Sequence, residues 1–132
     1  MNPTIKITPG MSGSATTVVT REITVAHLHP EMPEVYGTPF MIYLMEVAAS
    51  NAIQEHLPPG HVSVGTSVDV QHLAATPVGR TVTAKARVIS VDGRRVTFAV
   101  EAHDGAERIG AGSHGRAVVD MARFLKALAE KQ

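Results

Sequence analysis

Residues 38–57 read TPFMIYLMEVAASNAIQEHL, a long and mostly apolar segment with clear signals at both ends. Thr is a favoured N-cap and Pro suits the first helical position, so we expect Thr38 to cap a helix that continues through Pro39. The Pro-Pro-Gly sequence at 58–60 ends this helix after Leu57. Apolar side chains cover nearly the whole helical circumference, which predicts a helix that is buried on most sides.

Strand and turn patterns dominate the rest of the chain. Apolar and polar residues alternate over residues 62–74 and 82–88, with the period of a half-buried strand, and the Asp-Gly pairs at 92–93 and 104–105 are typical of tight hairpins. The predicted elements are a strand at 16–26, a loop at 27–37, the long helix, strands at 62–74, 82–88, 96–102 and 108–120, and a short amphipathic helix at 121–131.

This order of elements predicts an α+β fold. A five-stranded antiparallel sheet would wrap around the long central helix, which is the hot-dog fold. Residues 1–14, rich in Gly, Ser, Thr and Pro, are interpreted as a flexible N-terminal lead-in, and residues 15–132 as a single hot-dog domain. Because such a sheet leaves open edges, we expect the chain to form a homodimer.

Composition and charge narrow the classes of function. Twelve Lys and Arg residues balance twelve Asp and Glu residues, so no broad field of one sign attracts nucleic acid or an anionic membrane. The absence of cysteine excludes disulfides, Cys-ligated zinc and thiol nucleophiles. No apolar run reaches about 18 residues, the length of a membrane-spanning helix. We therefore expect a cytoplasmic small-molecule enzyme or binding module with no metal, cofactor, nucleic-acid partner or membrane partner.

Glu46 is the only charged side chain between Thr38 and Gln54. Burying an unpaired carboxylate costs several kcal/mol, so its presence among apolar neighbours needs a reason. One interpretation is a general base, and the other is a structural carboxylate that finds its partner across a dimer interface.

His72 and Thr38 are the other polar candidates. Alternation with period two places His72 on the strand face of the valines at 62, 64, 68 and 70, against which the helix of Glu46 should pack. His72 is therefore either a satisfied core residue or a catalytic group that converges with Glu46. Thr38 is either a simple N-cap or a hydroxyl beside the positive helix end, where it could act as nucleophile or hold a thioester carbonyl.

Two segments resemble a known family. HPEMPEVYGTPFMIYLMEVAA at 29–49, followed by VGTSVDVQHLAATPVG at 64–79, is similar to thioesterases related to fluoroacetyl-CoA thioesterase, and the likeness extends over about residues 17–120. RRVTFAVEAHDG at 94–105 and GSHGRAVV at 112–119 also resemble the later strands of that family. The resemblance implies that Thr38, Glu46 and His72 form the catalytic group, and that Gly65 and Arg116 lie near the acyl or CoA groove.

The loop before the helix departs from the family pattern. Fluoroacetyl-specific members carry aromatic residues there, whereas residues 27–32 contain none. The resemblance therefore implies that the chain hydrolyses a short or medium acyl-CoA to the free acid and CoA. Two alternatives use the same fold: a non-catalytic acyl-CoA binding or sensing module, and a hydratase or dehydratase of acyl thioesters.

Overall fold

The computed structural model describes residues 5–131 and shows a curled antiparallel sheet packed on one long helix. The strands are β1 (Ser12–Val18), β2 (His61–His72), β3 (Thr81–Asp92), β4 (Arg95–Asp104) and β5 (Glu107–Asp120), and the helices are α1 (Val25–Leu28), α2 (Thr38–Ile53) and α3 (Met121–Ala129). The strand order across the sheet is β1-β3-β4-β5-β2, and every neighbouring pair is antiparallel. The predicted α+β hot-dog architecture is confirmed.

The core lies between α2 and the concave face of the sheet. Even-numbered residues of β4, and of β3 as far as Val88, point inward and are buried, as the alternating pattern predicts: Val82, Ala84, Ala86, Val88, Val96, Phe98, Val100 and Ala102. From α2 the buried side chains are Met41, Leu44, Met45, Ala48, Ala49, Ala52 and Ile53. Tyr43 on the opposite side of α2 is exposed, so the helix is buried on fewer sides than its composition predicts.

The start of α2 differs from the prediction. Gly37 is the N-cap, and its carbonyl accepts hydrogen bonds from the backbone N–H groups of Phe40 (3.0 Å) and Met41 (3.1 Å). Thr38 is therefore the first residue inside the helix, and its side chain makes no capping bond. The predicted N-cap role of Thr38 is wrong, which leaves its hydroxyl free for another partner.

The N-terminal strand is also displaced from its predicted position. β1 covers Ser12–Val18, and the chain then forms a 3-10 turn at Arg21–Ile23 and the short α1, where the sequence predicts strand to residue 26. Close packing explains the shift, because a Cβ at Gly13 would lie 2.5 Å from the backbone oxygen of Ala48. Glycine there lets β1 lie directly on α2, so the sheet begins inside the predicted lead-in.

The later strands agree with the sequence. Gly93 and Gly105 have φ values of 60° and 82°, in the left-handed region that tight Asp-Gly hairpins use. Each hairpin joins its two predicted strands, and α3 follows β5 at the expected residue. None of the helices in the described part of the chain has the length and apolar character needed to cross a membrane.

Candidate active site

Thr38 and His72 form a hydrogen-bonded pair at the N-terminus of α2. Thr38 Oγ1 lies 2.8 Å from His72 Nδ1, and the ring of Tyr36 meets the imidazole edge-on at 6.5 Å between centroids. Burial lowers the pKa of His72, and the backbone of Ala74 acts weakly in the opposite direction. The imidazole is therefore neutral near pH 7, and in the tautomer that carries its proton on Nε2, Nδ1 can accept the Thr38 proton.

The Thr38–His72 pair opens into a cleft of about 350 Å³. The lining is mostly apolar and comes from α1, the loop before α2 and the segment after β2: Val25, Val35, Tyr36, Thr38, His72, Leu73, Ala74 and Ala75. An apolar cleft with a few convergent polar atoms is the common form of a small-molecule site.

A β-bulge in β2 corrects the predicted strand faces. Gly65 pairs with Arg116 and Ser67 with Gly115, so Thr66 is an extra residue that reverses the alternation. Before the bulge, odd-numbered residues such as Gly65 face α2, and after it the even-numbered ones, including His72, do so. The prediction that the valines at 62 and 64 share a face with His72 is therefore wrong, although His72 itself points inward as expected.

Glu46 lies at a second position along α2. Its carboxylate Oε2 is 3.4 Å from Arg116 Nη1, and a Cβ at Gly65 would lie only 2.7 Å from the same oxygen. The Glu46 side chain is 36% exposed, and it is paired with Arg116 of its own chain, whereas one of the two sequence interpretations placed its partner across a dimer interface. Eight residues of helix separate Glu46 from Thr38, a rise of about 12 Å. Within one chain, Glu46 does not join the Thr38–His72 pair.

Arg116 is held by several partners in what we call the Glu46–Arg116 cluster: Glu46, Ser63, Gly65, His114 and Arg116. Nε donates to Ser63 Oγ and Nη2 to the Ser63 carbonyl, each at 2.8 Å. Nη1 donates to Glu46 and to His114 Nε2, the latter at 3.2 Å. Burial lowers the pKa of Arg116 and the Glu46 charge raises it, but a guanidinium remains charged. Of the two residues predicted to lie near substrate, Arg116 contacts Glu46 and Gly65 lies beside it.

His114 and Ser63 are the members of the cluster that the sequence did not reveal, and His114 is the titratable one of the two. It is 2% exposed and stacks on Phe98 at 6.2 Å between centroids. Its Nδ1 lies 2.8 Å from the Ser67 carbonyl, which only accepts, so Nδ1 carries the proton and Nε2 accepts from Arg116. The alternation in β5 would have placed His114 and Arg116 on one face. The bulge that supplies the Ser67 carbonyl has no comparable sequence signature.

The described residues contain no group of three or more His, Asp or Glu side chains arranged to bind a metal ion. Most of the polar side-chain atoms at the two positions bind one another instead, and His72 Nε2 is buried without a hydrogen-bond partner among residues 5–131. The groups available for chemistry are therefore the Thr38 hydroxyl, the imidazoles of His72 and His114, the Glu46 carboxylate and the Arg116 guanidinium.

A curled five-stranded sheet around one long helix is the hot-dog architecture, and in this chain a hydroxyl–imidazole pair lies at the helix start with a carboxylate two turns later. Residues 19–122 match the family model of the fluoroacetyl-CoA-specific thioesterase FlK, and the chain belongs to this family. It is 46% identical, over 120 residues and 86% of each chain, to the fluoroacetyl-CoA thioesterase of Streptantibioticus cattleyicolor.

Solved structures support the same assignment. Fluoroacetyl-CoA thioesterase FlK superposes with a TM-score of 0.88 at 42% identity, covering 96% of this chain and 98% of that one. A thioesterase superfamily member from Thermus thermophilus gives 0.85 at 34% identity, covering 99% and 94%. A hot-dog-like protein from Thermanaerovibrio acidaminovorans gives 0.86 at 27% identity, covering 93% and 91%.

Proposed function

We propose that the protein is an acyl-CoA thioesterase that hydrolyses a short or medium acyl-CoA to the free acid and CoA. The observation that carries the proposal is the 2.8 Å contact between the Thr38 hydroxyl and a neutral His72 at the mouth of an apolar cleft. Membership of the FlK family supports it. Structures of FlK variants with acetyl-CoA, and with fluoroacetate and CoA, show these ligands bound to that relative.

The chemistry begins at Thr38. His72 Nδ1 accepts a proton as the Thr38 hydroxyl, or a water that it orients, attacks the thioester carbonyl carbon. The positive end of α2 stabilises the negative charge that develops on the carbonyl oxygen. The C–S bond then breaks, and the CoA sulfur takes up the proton that His72 accepted. Water supplies the oxygen of the free acid, either directly or by hydrolysing an acyl-Thr38 ester.

The role of Glu46 requires a second subunit. β2 is an edge strand, and along it lie both Gly65, beside Glu46, and His72. Gly65 precedes Val68 by three residues and His72 follows it by four. Antiparallel pairing of two β2 strands about an axis near Val68 would therefore bring Gly65 opposite the partner subunit's His72. We propose a homodimer of this kind, in which Glu46 of one subunit accepts a proton from the water that completes hydrolysis at the Thr38–His72 pair of the other.

The exposed surface of β2 supports this dimer. Val68 and Leu73 are large apolar residues that are 44% and 50% exposed, on or directly beyond an unpaired strand edge. Such an edge is a template for a further strand unless it is protected.

A cytoplasmic location and the exclusion of nucleic acid and metal remain predictions from composition.

The test is thiol release from a panel of acyl-CoA esters that includes fluoroacetyl-CoA, for the wild type and for Glu46→Gln. We expect turnover by the wild type and a collapse in Glu46→Gln with an unchanged circular dichroism spectrum. Glu55→Gln is a matched control, because the Glu55 side chain is 84% exposed beyond the end of α2. Undiminished turnover in Glu46→Gln would refute its role. Tight acyl-CoA binding without turnover in the wild type would indicate a sensing module instead.

A further inference from the structure

The Glu46–Arg116 contact is loose by itself. The 3.4 Å between Nη1 and the carboxylate is long for a charge-assisted hydrogen bond, which is ordinarily about 2.7–2.9 Å. Ser63 fixes one edge of the guanidinium through Nε and Nη2. The Nη1 end, which faces Glu46, depends on a different residue for its orientation.

His114 supplies that orientation. Its Nε2 lies 3.2 Å from Arg116 Nη1, and the ring is immobilised by the Ser67 carbonyl on one side and by Phe98 on the other. The ring therefore presents a fixed acceptor to one N–H of Nη1, which leaves the second N–H directed at Glu46. Because His114 is 2% exposed and Arg116 is 7% exposed, water cannot easily replace that acceptor.

The charge state of His114 fits this role. Burial lowers its pKa, and so does the Arg116 charge, while the bond to Ser67 and the Glu46 charge raise it. The net direction is downward, so the imidazole is neutral near pH 7 and Nε2 keeps its lone pair. A protonated ring would instead turn an N–H towards Nη1 and repel it.

We propose that His114 is a positioning residue of the esterase site: through its Nε2 it fixes the Arg116 guanidinium, and through Arg116 it holds the Glu46 carboxylate in place. The bulge at Thr66 takes part, because it turns the Ser67 carbonyl towards Nδ1 and so selects the tautomer with a free Nε2. This inference rests on the proposed function of Glu46.

Three substitutions at His114 separate positioning from simple structural support. His114→Gln can place an amide oxygen near the position of Nε2 and so keep an acceptor for Arg116. His114→Asn can keep a donor for the Ser67 carbonyl but is too short to reach Arg116. His114→Phe keeps the ring stacked on Phe98 and offers neither group. His103→Phe is the control, since His103 lies on the opposite face of the sheet.

Steady-state thiol release should show kcat reduced about 10- to 100-fold in His114→Phe and His114→Asn, the cost of a slightly misplaced catalytic group. KM should change little, because His114 does not line the cleft. His114→Gln should recover most of the lost kcat. In an Arg116→Met background, His114→Phe should cost no further kcat, since both changes interrupt one chain of contacts.

Equal kcat values for His114→Gln and His114→Asn would overturn the proposal, and this comparison holds even where His114→Phe fails to fold. A loss of kcat that follows thermal stability across all three variants would overturn it too. Wild-type kcat in His114→Phe, with Glu46→Gln inactive, would refute the inference while leaving the proposed function intact. Full activity in Glu46→Gln would instead refute the proposed role of Glu46.

Discussion

Replacing Thr38 by valine removes one hydroxyl and leaves a side chain of nearly the same shape. In the structure that hydroxyl makes a single bond, to His72 Nδ1, and takes no part in capping α2 because Gly37 is the N-cap. The expected loss in the free energy of unfolding is that of one hydrogen bond, about 0.5–1.5 kcal/mol. The fold should therefore survive the change.

The expected loss of activity is much larger. A positioned proton acceptor acting on a reacting group contributes about 10²- to 10⁴-fold in rate, which corresponds to about 3–5 kcal/mol of barrier. Thr38→Val should therefore reduce kcat by at least about 100-fold. Thr38→Ser, which keeps the hydroxyl, should retain most of the activity.

The assay is thiol release under saturating acyl-CoA, with thermal unfolding of each variant measured in parallel. A kcat of Thr38→Val close to that of the wild type would refute the catalytic assignment of Thr38. A loss of similar size in Thr38→Ser and Thr38→Val would show that shape, rather than the hydroxyl, is what matters at this position.

Three further predictions follow from named contacts. Gly65→Ala places a methyl group 2.7 Å from the Glu46 carboxylate. Because the carboxylate is the mobile end of its side chain, it should move aside, so kcat should fall while the thermal unfolding midpoint stays near that of the wild type. An unchanged kcat would contradict the placement of Glu46. Val68→Lys puts a charge on the proposed dimer edge, so light scattering should show monomers and thiol release should be lost. An active monomer would be incompatible with a site shared between subunits. Burial lowers the pKa of both His72 and His114 below the ordinary value of 6.5, so just below that pH the unfolded chain binds more protons than the folded chain. Urea denaturation should therefore give a smaller free energy of unfolding as the pH falls through 6.5. A free energy of unfolding that does not change with pH would count against neutral, buried imidazoles.

The sequence predicts the elements that depend on local chemistry. The Pro-Pro-Gly stop, the two Asp-Gly hairpins and the period-two strands β3 to β5 are all local patterns, and each appears in the structure within a few residues of its predicted place. Glu46 was identifiable because a single charge in an apolar helix is conspicuous. Arg116 could not be identified as the partner of Glu46, because it lies seventy residues away and reaches Glu46 only through the pairing of β2 with β5.

Other features depend on packing between distant segments. The bulge at Thr66 reverses the faces of β2, and no residue type near it marks the change. β1 begins earlier than strand propensity indicates, because Gly13, which has no Cβ, lies directly against the backbone of α2. Gly37 replaces Thr38 as the N-cap, and the Thr38 hydroxyl binds His72, which is thirty-four residues away.

Complementation between two inactive variants tests most directly whether Thr38, His72 and Glu46 act as one catalytic group. A dimer of one Glu46→Gln chain and one Thr38→Val chain would contain one intact site, with Thr38 and His72 from the first chain and Glu46 from the second. Random exchange of equal amounts makes about half of the dimers mixed, so thiol release should recover to about a quarter of the wild-type rate. No recovery, although native mass spectrometry shows mixed dimers, would contradict a catalytic group shared between subunits.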